Sequence, residues 1–164
     1  MNITAVCPGS FDPVTLGHLD IIRRAAQMFE RILVVVMSNT QKTATFSVAE
    51  RCEMLKTVTA GIGNVEIESH GGLLADYARE KNAKAIVKGL RALSDFEYEF
   101  QMALTNKRLN PAADTVFLTA SAENMYLSSS LVKQVGMMGG DIHDFVPECI
   151  YDNIMKKFAK SINY

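Results

Sequence analysis

The run Cys7-Pro-Gly-Ser-Phe-Asp-Pro-Val-Thr-Leu-Gly-His18 combines turn formers with polar donors in a spacing suited to holding an anion. Gly9 admits close backbone approach of a ligand, Ser10 offers a hydroxyl, and a helix beginning just beyond would add unpaired N–H groups at the positive end of its dipole. Phosphate is the natural occupant. The run is neither G-x-G-x-x-G nor the G-x-x-x-x-G-K-[ST] P-loop, which the chain lacks, so a different phosphate device is implied. Gly17 and His18 fall near the first helical turn, where the imidazole can donate to a phosphoryl oxygen. Taken alone, His18 reads as a surface histidine at a helix start. The ten-residue pattern G-[ST]-F-D-P-x-T-x-G-H around it shifts the balance toward chemistry.

Three further segments have matching chemistry. Val87-Lys-Gly-Leu-Arg-Ala92 places Lys88 and Arg91 on either side of Gly89 and Leu90, two cations beside a glycine that admits a ligand. The bland alternative is a pair of surface cations balanced by Asp95, Glu97 and Glu99 of the helix that follows. Ser121-Ala-Glu-Asn-Met-Tyr-Leu-Ser-Ser-Ser-Leu-Val-Lys133 brings consecutive hydroxyls to a helix start, where Ser128 also reads simply as an N-cap. Ser38 to Phe46 is polar and carries Lys42, a mobile point charge.

These segments need a scaffold that gathers them. Apolar, β-branched runs at Asn2–Cys7, Arg31–Met37, Asn64–Glu68, Ala85–Lys88 and Thr115–Thr119 read as strands. Between and after them lie helical patterns: Leu19, Ile22, Ala26 and Phe29 on one stripe, a stretch opened by the capping box Ser47-Val-Ala-Glu50, then Leu73–Lys81, Asp95–Leu109, Ser129–Val135 and Pro147–Phe158. Alternation of this kind predicts an α/β fold, a single doubly wound Rossmann-like domain over residues 1–164 with a five-stranded parallel sheet. In such sheets ligands bind beyond the carboxyl ends of the strands, which is where the four segments fall.

Composition narrows the alternatives. Hydrophobic residues are 48% and charged residues 21%, with a formal charge of −1, so no broad attraction to nucleic acid or to an anionic membrane is expected. The longest apolar runs, such as Ile32–Met37, fall short of the roughly 20 residues of a membrane helix, and the first residues do not read as a signal peptide. A cytoplasmic protein is expected. Cys7, Cys52 and Cys149 read as buried reduced thiols, and the histidines show no metal-ligand spacing. His70 and His143 read as turn and loop residues, Met102, Met137, Met138 and Met155 as core or subunit packing, and Tyr98 and Phe100 as packing of their helix.

The first motif resembles the T/H-x-G-H signature of the nucleotidyltransferase superfamily. With the G-H pair, the lysine after strand two, K-G-L-R, D-F-E-Y-E and S-S-S-L-V-K in this order, nearly the whole chain resembles the bacterial phosphopantetheine adenylyltransferases. That likeness implies transfer of AMP from ATP to 4′-phosphopantetheine. It assigns Ser10, Lys42, Leu74 and Lys88 to the acceptor. It assigns Ser10, Phe11, His18, Gly89, Leu90, Arg91, Glu99 and the segment Asn124, Met125, Tyr126, Leu127, Ser128, Ser129 and Ser130 to ATP. Its catalytic group is His18, Lys42 and Arg91. The likeness also implies Mg²⁺, a homohexamer and feedback by coenzyme A. Two departures stand out: Ser10 where threonine is frequent, and Lys88 where arginine is usual, a compact cation in place of a planar fork. A related adenylyl- or cytidylyltransferase acting on nicotinamide mononucleotide or a small phosphorylated alcohol, and a catalytically silent nucleotide sensor, remain as rivals.

Overall fold

The structure, a computed structural model, describes residues 3–38 and 43–162, without the side chains of residues 93, 94 and 162. Its elements run β1 (Thr4–Gly9), α1 (Leu16–Met28), β2 (Arg31–Met37), α2 (Val48–Thr59), β3 (Val65–His70), α3 (Leu74–Glu80), β4 (Ala85–Leu90), α4 (Leu93–Leu109), β5 (Asp114–Thr119), α5 (Ser129–Met137) and α6 (Glu148–Ile162). A short 3₁₀ turn at Ala122–Asn124, not foreseen from the sequence, lies between β5 and α5. All strand pairs are parallel and the order is β3-β2-β1-β4-β5. The expected five-stranded α/β sheet is therefore what forms.

Strand alternation divides the core in two. Ala5 and Cys7 of β1, Ile32, Val34 and Val36 of β2, and Ala85 and Val87 of β4 face a large cluster completed by Leu19, Leu55, Ile154 and Phe158 of α1, α2 and α6. Their neighbours Val6, Leu33, Val35 and Ile86 face the other side, against Tyr77 and Ala78 of α3. Strands apolar on both faces are what a sheet covered by helices on each side demands.

Capping explains where the helices begin. Ser47 accepts from Glu50 N–H and Glu50 returns a bond to Ser47 N–H, so α2 starts at the predicted box. Ser128 accepts from Leu131 N–H and caps α5.

The sheet's reversal fixes the functional end. β1 pairs with β2 from Thr4 to Gly9, but with β4 only at Ala5 and Val6, while β4 stays paired with β5 to Leu90. Beyond Val6 the two central strands are not bonded, and the crevice of the topological switch point lies between Pro8-Gly9 and Lys88-Gly89. β1 was expected to stop at Cys7. It continues through Pro8, because the ladder to β4 has already ended and a strand without that partner tolerates a residue lacking N–H.

Candidate active site

The turn from β1 to α1 is folded by its own residues. Phe11 takes φ 49, left-handed for a non-glycine, and its buried ring covers Gly9. A Cβ on Gly9 would stand 2.8 Å from that ring, so the position needs glycine. Thr15 caps α1. Its Oγ1 accepts from His18 N–H at 3.3 Å, and its own N–H donates to His18 Nδ1 at 3.0 Å, a capping box with histidine in place of the usual glutamate.

This box settles the tautomer. Nδ1 accepts, so Nε2 carries the proton and is left as a donor. Burial lowers the His18 pKa from the usual 6.5 to about 4, aided by the positive charges of Arg91 and then Lys88. At neutral pH the ring is uncharged and donates without having to lose charge. Phe11 packs edge-on to the imidazole, ring centres 5.1 Å apart.

Across the crevice the cations are already partnered. Lys88 Nζ lies 3.2 Å from Glu99, and Arg91 pairs with Asp95 at 3.0 Å while donating to the Leu127 carbonyl at 2.8 Å. The balancing of basic strand end by acidic helix start, the bland alternative, is thus present alongside a geometry in which both charges act on His18. α1 passes over β4 so closely that a Cβ on Gly89 would come within 3.0 Å of Ile21. Asn124 packs against Gly17, and Ser129 Oγ donates to the Pro13 carbonyl at 2.7 Å.

Ser10, Phe11, His18, Lys88, Gly89, Arg91, Glu99, Asn124, Leu127 and Ser129 therefore gather around the strand ends. Leu90 and Met125 line a cleft of about 270 Å³ there with Arg91, Phe96, Thr119 and Ala120, an apolar shelf beside a guanidinium. Tyr126 and Ser130 are exposed, Tyr126 edge-on to Phe145. Leu74 stands apart, at the start of α3 against the second core cluster. Lys42 lies outside the described residues. A larger groove of about 430 Å³ runs between α2 and α6 and contains none of these residues, so size alone does not locate the site.

Three contributors escaped the sequence reading. Asp12 is buried and accepts from Thr45 N–H, Phe46 N–H and Lys133 Nζ. Arg51, also buried, donates to the Ser10 carbonyl at 2.9 Å. Thr15 stood in the quoted motif without its capping role, which the T-x-x-H spacing before an apolar stripe could have disclosed.

Some structural expectations are corrected. Cys149 is exposed and Cys52, at the edge of the main core cluster, is only partly covered; only Cys7 is buried, and burial pushes its thiol up to about 12. Tyr98 and Phe100 are 64% and 47% exposed and do not pack their helix onto the sheet. His70 closes β3 beside Tyr77, and His143 stacks on Tyr151 while bonding Asp141.

The Cytidylyltransferase-like family model matches residues 6–135. The phosphopantetheine adenylyltransferases of Caldanaerobacter subterraneus and Clostridium tetani are each 54% identical over 157 residues, spanning 96% of this chain and 98% of theirs. The chain belongs to the phosphopantetheine adenylyltransferase family. Among solved structures, Plasmodium falciparum nicotinic acid mononucleotide adenylyltransferase complexed with NaAD superposes with a TM-score of 0.71 at 14% identity, covering 99% of both chains. That likeness is one of fold. Within this family the locked histidine and the two cations of the crevice occupy the strand ends of a nucleotidyltransferase sheet.

Proposed function

We propose that the chain, as a single nucleotidyltransferase domain over residues 1–164, transfers AMP from ATP to 4′-phosphopantetheine, yielding dephospho-coenzyme A and pyrophosphate. The observation that carries this reading is the His18 donor, fixed by Thr15 at the switch point and flanked by Lys88 and Arg91. Such a site suits direct in-line attack of the acceptor phosphate on the α-phosphorus. Catalysis is then by alignment and by electrostatic support of the charge that grows on the transferring group. Cys7 is buried as a neutral thiol, and no described residue pairs with Ser10 as a base, so no enzyme nucleophile is invoked.

In this mechanism His18 Nε2–H donates to a phosphoryl oxygen. Arg91, with Lys42, meets the polyphosphate, Lys88 and Ser10 meet the acceptor phosphate, and Leu74, set apart at the start of α3, would contact the remainder of the acceptor. The remaining ATP contacts come from Phe11, Gly89, Leu90, Glu99 and the segment Asn124–Ser130, the base resting on the apolar shelf. An incoming polyphosphate opposes the two cations and so moves the His18 pKa back upward from its lowered value. The attacking phosphate has its second pKa near 6 and is already ionised at pH 7, so no side chain must take a proton from it.

Mg²⁺ belongs to this reading as an ion that accompanies the nucleotide. Among the described residues no three His, Cys, Asp or Glu side chains converge as a cage, and Asp12, Asp95 and Glu99 each already face a cation. They fit a protein-held Mg²⁺ poorly, and no step here runs through it. A homohexamer is supported by the apolar side chains that α4 leaves uncovered, among them Tyr98, Phe100 and Leu104. Three unpaired thiols suit a reducing cytoplasm, and feedback by coenzyme A would act through the acceptor site. No nucleic-acid or membrane partner is proposed; no described helix is long and apolar enough to cross a membrane.

Incubation with ATP and a panel of phosphorylated acceptors, with pyrophosphate measured, tests the assignment. Turnover with 4′-phosphopantetheine and none with dephosphorylated pantetheine is expected. Preference for nicotinamide mononucleotide, or nucleotide binding without turnover on any acceptor, would overturn it.

A further inference from the structure

Asp12 is a carboxylate with 8% of its side chain exposed, six residues before His18, and its three donors come from two distant parts of the chain. Thr45 N–H at 3.0 Å and Phe46 N–H at 2.8 Å belong to the segment that leads into α2, and Lys133 Nζ at 3.0 Å belongs to α5. Stability alone does not account for such a pair. Asp12 is buried and Lys133 partly so, and taking charges out of water costs much of what their attraction returns.

An ion pair differs from an apolar contact in fixing direction as well as proximity. Here it ties the β1–α1 turn to two other elements at the same point, and the neighbouring bonds repeat the pattern. Arg51 of α2 holds the Ser10 carbonyl, and Ser129 of α5 holds the Pro13 carbonyl, one on each side of Asp12. Lys133 stands one helical turn beyond Ser129, so the hydroxyls at the start of α5 and the imidazole of α1 share one frame anchored on Asp12.

We propose that Asp12 and Lys133 are a positioning pair for the transfer reaction: the buried carboxylate and the partly covered ammonium lock the β1–α1 turn against α5 and the Thr45–Phe46 segment, and so hold His18 in register with the α5 hydroxyls. The proposal rests on the adenylyl-transfer reading above. Neither residue touches the reacting atoms. Their effect is on alignment, which counts most in the transition state, where a displacement of about 1 Å can cost on the order of a hundredfold.

The test compares Lys133→Gln, Lys133→Arg and Asp12→Asn by single-turnover rate constants, which report only on folded enzyme, together with melting temperatures. Lys133 is partly exposed, so its variants are the ones expected to fold. Lys133→Gln should slow the step about tenfold or more, as loss of a charge-assisted hydrogen bond does, and Lys133→Arg should restore most of the rate by returning a cation to the carboxylate. The Asp12→Asn/Lys133→Gln double variant should be no slower than the slower single. Amide exchange at Thr45 and Phe46 should accelerate in Asp12→Asn and in Lys133→Gln. A wild-type rate constant in Lys133→Gln, with only the melting temperature lowered, would make the pair merely structural and overturn the proposal. If the unaltered protein showed no transfer to 4′-phosphopantetheine, the functional reading would fail instead. Exchange at the two amides would then decide: acceleration in Lys133→Gln supports the lock, and unchanged protection overturns it.

Discussion

The two turns that face each other across the crevice are prepared in opposite ways. After β1 the turn is braced by its own bonds: Thr15 holds the helix start and His18 Nδ1, Arg51 holds the Ser10 carbonyl, and Asp12 accepts from three donors. The His18 Nε2–H is left as a free donor. After β4 the cations are occupied, Lys88 by Glu99 and Arg91 by Asp95. One wall is preorganised, which catalysis favours because no reorganisation is needed as charge develops. The other wall is charge-compensated, so two cations sit near a partly buried neutral imidazole, and a phosphate reaching them would have to displace carboxylates.

Removing the donor from the preorganised wall should have the largest effect. His18→Ala is expected to lower the chemical rate by about 10² to 10³ while ATP binding changes little, since a transition-state donor acts on developing charge. Single-turnover kinetics beside equilibrium nucleotide titration separates the two. Equal, modest losses in both would reduce His18 to an ordinary binding residue and dissolve the contrast between the walls.

On the compensated wall the effect should appear in binding. Lys88→Ala is expected to raise the KM for 4′-phosphopantetheine about tenfold or more, the scale of a lost hydrogen bond to a charged group, and Lys88→Arg to keep activity. Initial rates over a range of acceptor concentrations check this. An unchanged acceptor KM in Lys88→Ala would place the side chain outside the acceptor site.

Preorganisation also has a cost visible in stability. His18 titrates near 4 folded against 6.5 unfolded, so between those values the unfolded chain binds more protons and stability falls with falling pH. The loss from pH 7 to pH 5 should reach about 2 kcal/mol from this residue, and His18→Gln should flatten that part of the profile. Urea unfolding at the two pH values measures it. A profile as steep in the variant as in the parent would show that the imidazole is not held neutral by its surroundings.

The walls were also unequally legible in the sequence. The preorganised turn could be read as a phosphate device because Gly9, Ser10 and the helix start carry local signals. Its anchors could not, because Asp12 meets Thr45, Phe46 and Lys133 only after residues 33, 34 and 121 positions away have folded beside it. The parallel sheet followed from strands such as β2, apolar at every position from Ile32 to Val36, whereas the end of β1 was misjudged because the extent of its ladder to β4 depends on the neighbour. Tyr98 and Phe100 were misplaced for a related reason: aromatic residues on a mixed helix announce that something will cover them, and they do not announce whether their own sheet does so. Lys88 and Glu99 could be suspected of pairing, as i-to-helix charge balance is common. Which of them a ligand engages is a question of competition, and local sequence does not encode that.

That competition yields the smallest and most discriminating expectation. Lys88 and Glu99 are 25% and 20% exposed, a partly solvated pair that contributes little, on the order of the 0.2–1 kcal/mol of exposed ion pairs. If Glu99 serves mainly to compensate Lys88 until phosphate arrives, Glu99→Gln removes the competitor and should tighten the acceptor by a factor of up to about five, the binding equivalent of that energy. The amide keeps the shape and loses only the charge. Family likeness instead assigns Glu99 to ATP, and in that role Glu99→Gln should weaken nucleotide binding and leave the acceptor unaffected. Calorimetric titration of both ligands against the one variant separates the outcomes, because the two roles move different affinities. A tighter acceptor with unchanged ATP affinity would define this wall as a charge-exchange surface. Weaker ATP with an unchanged acceptor would show that the ion pair is incidental and that both walls bind substrate with groups arranged in advance.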